Sequence, residues 1–400
     1  MSGSKNKDVN KYKKKAKIKK PNPILFFLCY ALVAPVLKFK CKISYDKSGL
    51  TGLKGPALIL CPHISNIDFL LVALTLAPHR PTFVVSEHFM ARPAIRWFLG
   101  KMHVISKKMF CPDIKTVISI LRARESGNIV VLFPEGRLTC VGHSLQVTEG
   151  TAELVKKMGV DVYTITVNGA YKTLPKWGKS GIRPGKIHIT TSKLFDSASV
   201  ADLSAEDIGK AIDKAMLHDE DKLLNDVFYK CKAPAFGLDG VLYKCPSCGE
   251  EFSTYTDERH IKCLACSFSS ELDNRYNLKG KYFSCINDWY FWQQEQIDTD
   301  VPLESETILA AADEAGNICR SAGYGTVYMD KKIIRFSGEC FGEPLEFIEK
   351  TSDIKAFPIS VGDHFDLYHK KRMYNFILQP EPKKVIKWMQ YLDKVTQENV

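Results

Sequence analysis

Two short stretches decide the reading of this chain: Cys61-Pro62-His63-Ile64-Ser65-Asn66-Ile67-Asp68 and Phe133-Pro134-Glu135-Gly136-Arg137. The first sets a histidine five residues before an aspartate. The second follows the apolar run Ile129–Leu132, breaks it with Pro134 and Gly136, and ends on an arginine. An imidazole oriented by a carboxylate is a general base, and a glycine turn ending on a guanidinium is a cradle for a phosphate.

Geometry limits how His63 and Asp68 can meet. In mid-helix, five steps turn about 500°, so the two side chains would diverge by about 140°. They meet only if His63 sits in the loop before a helix and Asp68 reaches back from its first turn. Pro62 disfavours helix at Cys61, Ser65 and Asn66 are good N-cap residues, and Phe69–Leu76 supplies an apolar helical run. A carboxylate on one imidazole nitrogen leaves the other basic, able to take a proton from an attacking hydroxyl. By itself the pair reads more readily as a satisfied histidine beside a helix-start acid. The glycine-arginine turn seventy residues on argues for the site.

In this order and spacing the motifs resemble the glycerolipid acyltransferases, the lysophosphatidate (1-acylglycerol-3-phosphate) acyltransferase family. Its signature is N-H-x4-D, then G-x-I-x-I-x-R, then F-P-E-G-x-R-S, then a V-P-V-like strand. The second block is similar to Lys101–Lys107, with Lys107 at the arginine position, and the fourth to Val162–Val167, with Thr164 where proline is usual. The resemblance covers about residues 24–225. Pro62 replaces the usual Asn, and Val85-Ser86-Glu87-His88 stands where many members carry a basic residue. The Glu-Gly-Arg-Leu-Thr form of the third block resembles the acyltransferase half of the 2-acylglycerophosphoethanolamine acyltransferases.

The resemblance implies transfer of a fatty acyl group from acyl-CoA or acyl carrier protein to the free hydroxyl of a lysophospholipid. The expected acceptor is 1-acylglycerol-3-phosphate, giving phosphatidate in phospholipid biosynthesis. In that reading His63 is the base and Asp68 its orienter. Arg137 holds the acceptor phosphate, Gly136 lets backbone N–H groups approach, and Lys107 is either a second phosphate contact or one of a solvated pair with Lys108. Glu135 either binds the acceptor hydroxyl or holds Arg137 in place. The alternatives are a remodelling acyltransferase with another head group and a non-catalytic lipid-binding scaffold. The transfer itself needs no metal or redox cofactor.

Charge is concentrated at one end. The first twenty residues hold nine lysines and one acid, so the remaining chain carries only about +3 of the net +11. A body so nearly balanced is not a nucleic-acid-type surface, and no nucleic-acid partner is expected. Thirteen cysteines, an odd number that includes two Cys-x2-Cys pairs, suit a reducing compartment and a metal site better than a disulfide framework.

Residues 1–22 read as a lysine-rich disordered tail, and 23–42 as a membrane-associated apolar helix. The uncharged run Ile24–Leu37 spans about 21 Å as helix, short of a ~30 Å hydrocarbon core. It therefore lies in one leaflet with its lysine flanks on anionic head groups, at the cytoplasmic face of a membrane, as a peripheral or monotopic anchor. A signal peptide has the same form, but no small-residue cleavage site follows.

Residues 43–232 alternate strand and helix, the pattern of a mainly parallel α/β sheet flanked by helices, with the motifs at strand carboxyl ends. Residues 241–272 hold Cys245, Cys248, Cys263 and Cys266 at the spacing of a zinc ribbon, a closed structural Zn2+ site without an open position for catalysis. Acids around its knuckles suit a protein partner or a purely structural role. Residues 273–300 form an aromatic-rich helical linker, whose rings either pack the domains together or make an interfacial belt. Residues 301–400 show short strands closed by a helix after Pro382, a layout that resembles the pleckstrin-homology-like domains, including the GRAM type. That layout implies binding of a lipid head group or a protein, with Lys370, Lys371 and Arg372 as a basic loop or a solvated turn.

Overall fold

The computed structural model describes residues 17–109, 113–224, 226–313, 316–370 and 372–398. Most of the N-terminal lysine tail and Lys371 lie outside the described residues.

Four-residue runs of unbroken apolar character make the centre of the first sheet. Strands β2 (Ala57–Leu60) and β5 (Ile129–Leu132) bury every residue, as strands covered on both faces must. They pair in parallel, Leu60 opposite Leu132. Around them lie β1 (Lys42–Asp46), β3 (Thr82–Ser86), β4 (Ile105–Lys107), β6 (Asp161–Asn168) and β7 (Lys186–Phe195), in the order β1-β7-β6-β2-β5-β3-β4. All neighbours run parallel except β6 and β7. The expected mainly parallel sheet is therefore present.

Alternation along β2, β5 and β6 divides the core in two. Leu58, Leu60, Val130, Leu132 and Val162 face α4 (Ile114–Glu125), α5 (Thr151–Met158) and α6 (Ala205–Met216), meeting Ile120, Val155, Met158, Ile208 and Ile212. Ala57, Ile59, Val131, Tyr163 and Ile165 face the other side with Leu71 and Val72 of α2 (Asp68–Leu76). The buried face of α4 is Thr116, Ile120 and Ala123, rotated from the Val117, Ile118 and Leu121 face that apolar spacing suggests. Thr116 can turn inward because its hydroxyl donates to the Ser106 carbonyl and to Asp113.

The core on the α2 side continues without a break into the C-terminal half. A four-stranded antiparallel sheet, β8 (Thr254–Thr256) to β11 (Leu278–Lys279), follows, then α7 (Ile286–Glu295). Trp289 of α7 is buried against Phe268 and Phe283 at ring distances of 5.5 and 5.8 Å, so these aromatics pack within the protein.

Last comes a seven-stranded antiparallel sheet of β12 (Leu303–Ala312), β13 (Ile318–Met329), β14 (Ile333–Cys340), β15 (Glu343–Lys350), β16 (Ile359–Ser360), β17 (His364–His369) and β18 (Arg372–Leu378), closed by α8 (Val385–Glu398). Its order β15-β14-β13-β12-β18-β17-β16 joins a four-strand meander to a three-strand one through β12 and β18. This is consistent with the expected pleckstrin-homology-like layout. The long strand β12 has no clean apolar alternation at its start (Leu303-Glu304-Ser305-Glu306), and its pattern alone does not announce it. Helix α8 buries Val385, Ile386, Trp388, Met389, Leu392 and Val395 and leaves Asp393 beside that stripe.

At the other end, α1 (Pro23–Lys40) is 18 residues long, a length and apolarity sufficient to cross a membrane. It buries only Phe26, Ala34 and Leu37 and exposes Ile24, Leu28, Leu32 and Phe39.

Candidate active site

Parallel register brings the two motifs together. His63 and Glu135 each follow the end of their strand by three residues, and the paired ends Leu60 and Leu132 carry the two loops out side by side. Thr139 N–H donates to the His63 carbonyl at 3.1 Å, tying one loop to the other. The His63 ring stacks on Phe133, centroids 4.5 Å apart.

Asp68 is the first residue of α2, and the cap position is Ile67, whose side chain makes no capping bond. The expected caps act differently: Ser65 is buried and donates its hydroxyl to the Leu174 carbonyl at 2.9 Å. It is Asp68 that satisfies the turn. Its Oδ2 accepts the backbone N–H of Ile64 (2.7 Å) and Ser65 (2.8 Å) and meets His63 Nδ1 at 3.0 Å. The carboxylate thus reaches backwards over the helix start, the one geometry that the five-residue spacing permits. With Nδ1–H given to Asp68, Nε2 carries the lone pair. The Asp68 side chain is 1% exposed and that of His63 is 26% exposed, so a buried carboxylate holds a partly accessible imidazole.

Glu135 is buried, and neither carboxylate oxygen has a hydrogen-bond partner of good geometry. Burial pushes its carboxyl up to about 8; nearby Asp68 adds to this, and the backbone N–H groups of Leu145 and His63 and the charge on Arg137 oppose it. That shift favours the neutral acid over the carboxylate. It makes no hydrogen bond to Arg137, so the alternative in which it holds the arginine is not the observed arrangement. Gly136 takes φ 74°, the left-handed region open to glycine, and its N–H closes the turn on the Phe133 carbonyl.

Arg137 has a partner that its sequence neighbourhood does not show. Nη2 donates to Asp393 Oδ2 of α8 at 2.5 Å, with the two side chains only 10% and 15% exposed. Its Nη1 is buried without a partner. The Asp393 carboxylate holds the guanidinium above its ordinary pKa despite burial, which acts in the opposite direction and is the larger single influence. Lys107, Glu135 and Arg137 line one cleft of about 1180 Å³, whose far wall is Tyr290 and Phe291 of α7 and Met389 and Asp393 of α8. His63 is not among the residues lining this cleft. Lys108 lies 3.9 Å from Glu87, a weak exposed contact.

Sequence reading passed over Asp393 and Lys176. Lys176 donates to the Leu138 carbonyl at 3.2 Å, and burial lowers its pKa beside Cys140 and Arg137. No local motif marks either residue. Both become visible only when chain segments far from the turn are folded onto it.

The four ribbon cysteines do converge. Their sulfurs all lie within 4.8 Å of one another, with Cys245–Cys266 at 3.7 Å and Cys248–Cys263 at 3.8 Å. A disulfide would need about 2.05 Å. A tetrahedral ion with metal–sulfur bonds of about 2.3 Å spaces its sulfurs about 3.8 Å apart, so the donor set fits a four-thiolate metal site. His260 is not needed as a ligand; its Nδ1 contacts Asp257 at 3.3 Å.

Residues 42–168 match the Acyltransferase family model. By that match this part of the chain is an acyltransferase domain, as the two motifs suggest. The ribbon and the C-terminal sheet lie outside the matched residues. The chain is also similar to a solved structure, the 1-acyl-sn-glycerophosphate (LPA) acyltransferase PlsC from Thermotoga maritima. The two are 15% identical, with a TM-score of 0.39, over 48% of this chain and 91% of that one.

Proposed function

We propose that this protein transfers a fatty acyl group from acyl-CoA or acyl carrier protein to the free hydroxyl of a lysophospholipid. The acceptor in the primary reading is 1-acylglycerol-3-phosphate, giving phosphatidate. The observation that carries the reading is the His63–Asp68 pair at 3.0 Å, buried at the carboxylate and open at the ring.

In this reading His63 Nε2 takes the proton of the acceptor hydroxyl as its oxygen attacks the thioester carbonyl. Asp68 stabilises the imidazolium that forms. The tetrahedral intermediate collapses with loss of the thiolate, which takes the proton back from His63, so an ester and a free thiol result. Arg137 holds the acceptor phosphate from the wall of the cleft. Protonated Glu135 offers a hydrogen-bond donor in the same cleft, and Lys107 adds positive charge at its edge. The four cysteines would hold a structural Zn2+ that closes the ribbon.

Exposed apolar side chains of α1, with Trp97 (62% exposed) on the helix Pro93–Lys101, support docking on the cytoplasmic face of a membrane. That helix buries no residue and carries Arg96 and Lys101, as an interfacial helix on anionic lipid would. The ribbon or the C-terminal sheet supplies a surface for a protein partner. A second reading, remodelling of a lysophospholipid with another head group, is favoured by one observation: Arg137 is already paired with the Asp393 carboxylate.

The test is acyl transfer with labelled acyl-CoA and acyl carrier protein against a panel of lysophospholipids, beside His63→Ala. Product from wild type and none from the variant is the expected result. A variant with near-normal rate would remove the base assignment. A folded wild type that acylates nothing would leave a lipid-binding scaffold.

A further inference from the structure

The cleft in front of Arg137 is built by two distant parts of the chain. One wall is the turn after β5; the other is α7 and α8. Helix α8 is held firmly there. Gln390 donates to the Tyr290 carbonyl at 3.0 Å, Lys387 pairs with Glu251 at 2.5 Å, and Lys383 with Asp239 at 2.6 Å. Asp393 is therefore delivered to Arg137 by a docked helix, not by a mobile tail. The groups facing this pair are Tyr290 and Cys140, with Lys176 on the Cys140 side and Glu135 behind.

We propose that Asp393 is a specificity-determining residue. It occupies the Nη2 side of the Arg137 fork and disfavours acceptors whose phosphate carries two negative charges. The inference rests on the reading that Arg137 receives the acceptor phosphate.

The physical argument is charge counting in a secluded place. Arg137 and Asp393 together are neutral, and both side chains are at least 85% covered. An incoming phosphodiester brings one negative charge towards Asp393, and a phosphomonoester above its second ionisation brings nearly two. Coulomb repulsion scales with that charge, so the penalty from Asp393 is about twice as large for the dianion. The same step leaves His63 untouched, because Asp393 contacts neither the imidazole nor Asp68. Asp393 therefore acts on KM and not on the chemical step.

The experiment compares 1-acylglycerol-3-phosphate with the matching lysophosphatidylglycerol, whose phosphodiester carries one negative charge and no ammonium, in wild type, Asp393→Asn and Asp393→Glu. If Asp393→Asn lowers KM for the phosphomonoester about tenfold, the same energy per unit charge lowers it about threefold for the phosphodiester, with kcat held within about twofold. Asp393→Glu keeps the wild-type preference. Equal shifts for both acceptors would mean that Asp393 only supports the fold, and would overturn the proposal.

A wild-type measurement stands if Asp393→Asn does not fold. Between pH 5.5 and 7 the phosphomonoester passes through its second ionisation near pH 6. Its KM, divided by that of the phosphodiester, then rises with pH. His63 protonation affects both acceptors alike and cancels in the ratio. A flat ratio would contradict the proposal. No product from either acceptor in any form would instead overturn the acyl-transfer reading beneath it.

Discussion

His63 and Asp68 lie five residues apart and Arg137 and Asp393 lie 256 apart, yet each pair meets, at 3.0 and 2.5 Å. The first pair is made by a loop and the first turn of one helix. Its carboxylate also holds two backbone N–H groups, so the turn and the pair form together. The second exists only when α8 has docked across the turn after β5. A local pair can be a fixed catalytic device, since nothing distant has to arrive. A long-range pair reports on domain docking, and it couples the C-terminal half to the turn after β5.

Breaking the local pair should give the largest change. His63→Ala is expected to lower turnover by about 10²–10⁴-fold with the thermal midpoint little changed. Asp68→Asn should reduce turnover by a comparable factor while leaving a folded protein, because the amide no longer favours the useful tautomer. Steady-state rates with unfolding curves check both; wild-type turnover from Asp68→Asn would show that the carboxylate only caps the turn.

Next comes the ribbon, which buttresses α8 through Lys387 and Glu251. Cys263→Ser, or removal of zinc with a chelator, should destabilise the C-terminal half by more than about 4 kcal/mol. Metal analysis and calorimetry read this out. A full complement of folded protein without metal would rule out the structural zinc.

The long-range pair is sharpened by a double-mutant cycle. Arg137→Ala or Asp393→Ala alone leaves a buried charge without its partner, at a cost of about 3–5 kcal/mol. The double variant should cost clearly less than the sum in chemical denaturation. Additive losses would mean that the two groups do not interact in solution.

Glu135 gives the smallest and most specific effect. Its folded carboxyl stands at about 8 against an ordinary 4.5, so the folded state binds this proton more tightly than the unfolded one. The associated stability is complete below the ordinary value and is lost as pH rises through about 8, by at most about 1.4 kcal/mol per pH unit. Glu135→Gln should flatten that part of the stability–pH curve. An unchanged slope would show that Glu135 is ionised when folded.

Much of the first domain was legible because its signals are local. Unbroken apolar runs such as Ala57–Leu60 and Ile129–Leu132 mark central strands, and Pro and Gly mark where they stop. The edge strand β1 and its neighbour β7 are not legible in this way, since exposed or half-exposed residues such as Lys42, Ser44 and Lys186 dilute their pattern. Among site residues, His63, Asp68, Glu135, Gly136 and Arg137 share two loops brought together by strand register, and the four cysteines close on one another. Lys107 is on the cleft wall, but its spacing carries little information of its own. Asp393 sits in an amphipathic helix, where its carboxylate looks like any solvated acid.

The sequence by itself determined the elements whose cause is short-range: the backward reach of Asp68, the glycine turn before Arg137 and the paired cysteine knuckles. Each follows from backbone geometry and side-chain chemistry over a few residues. Only the tertiary structure decided what faces those elements. Burial in a shared core pushes the Glu135 carboxyl upward, and the docking of α8 gives Arg137 a carboxylate partner. Desolvation and charge pairing depend on which surfaces are pressed together, and no local stretch of sequence contains that information.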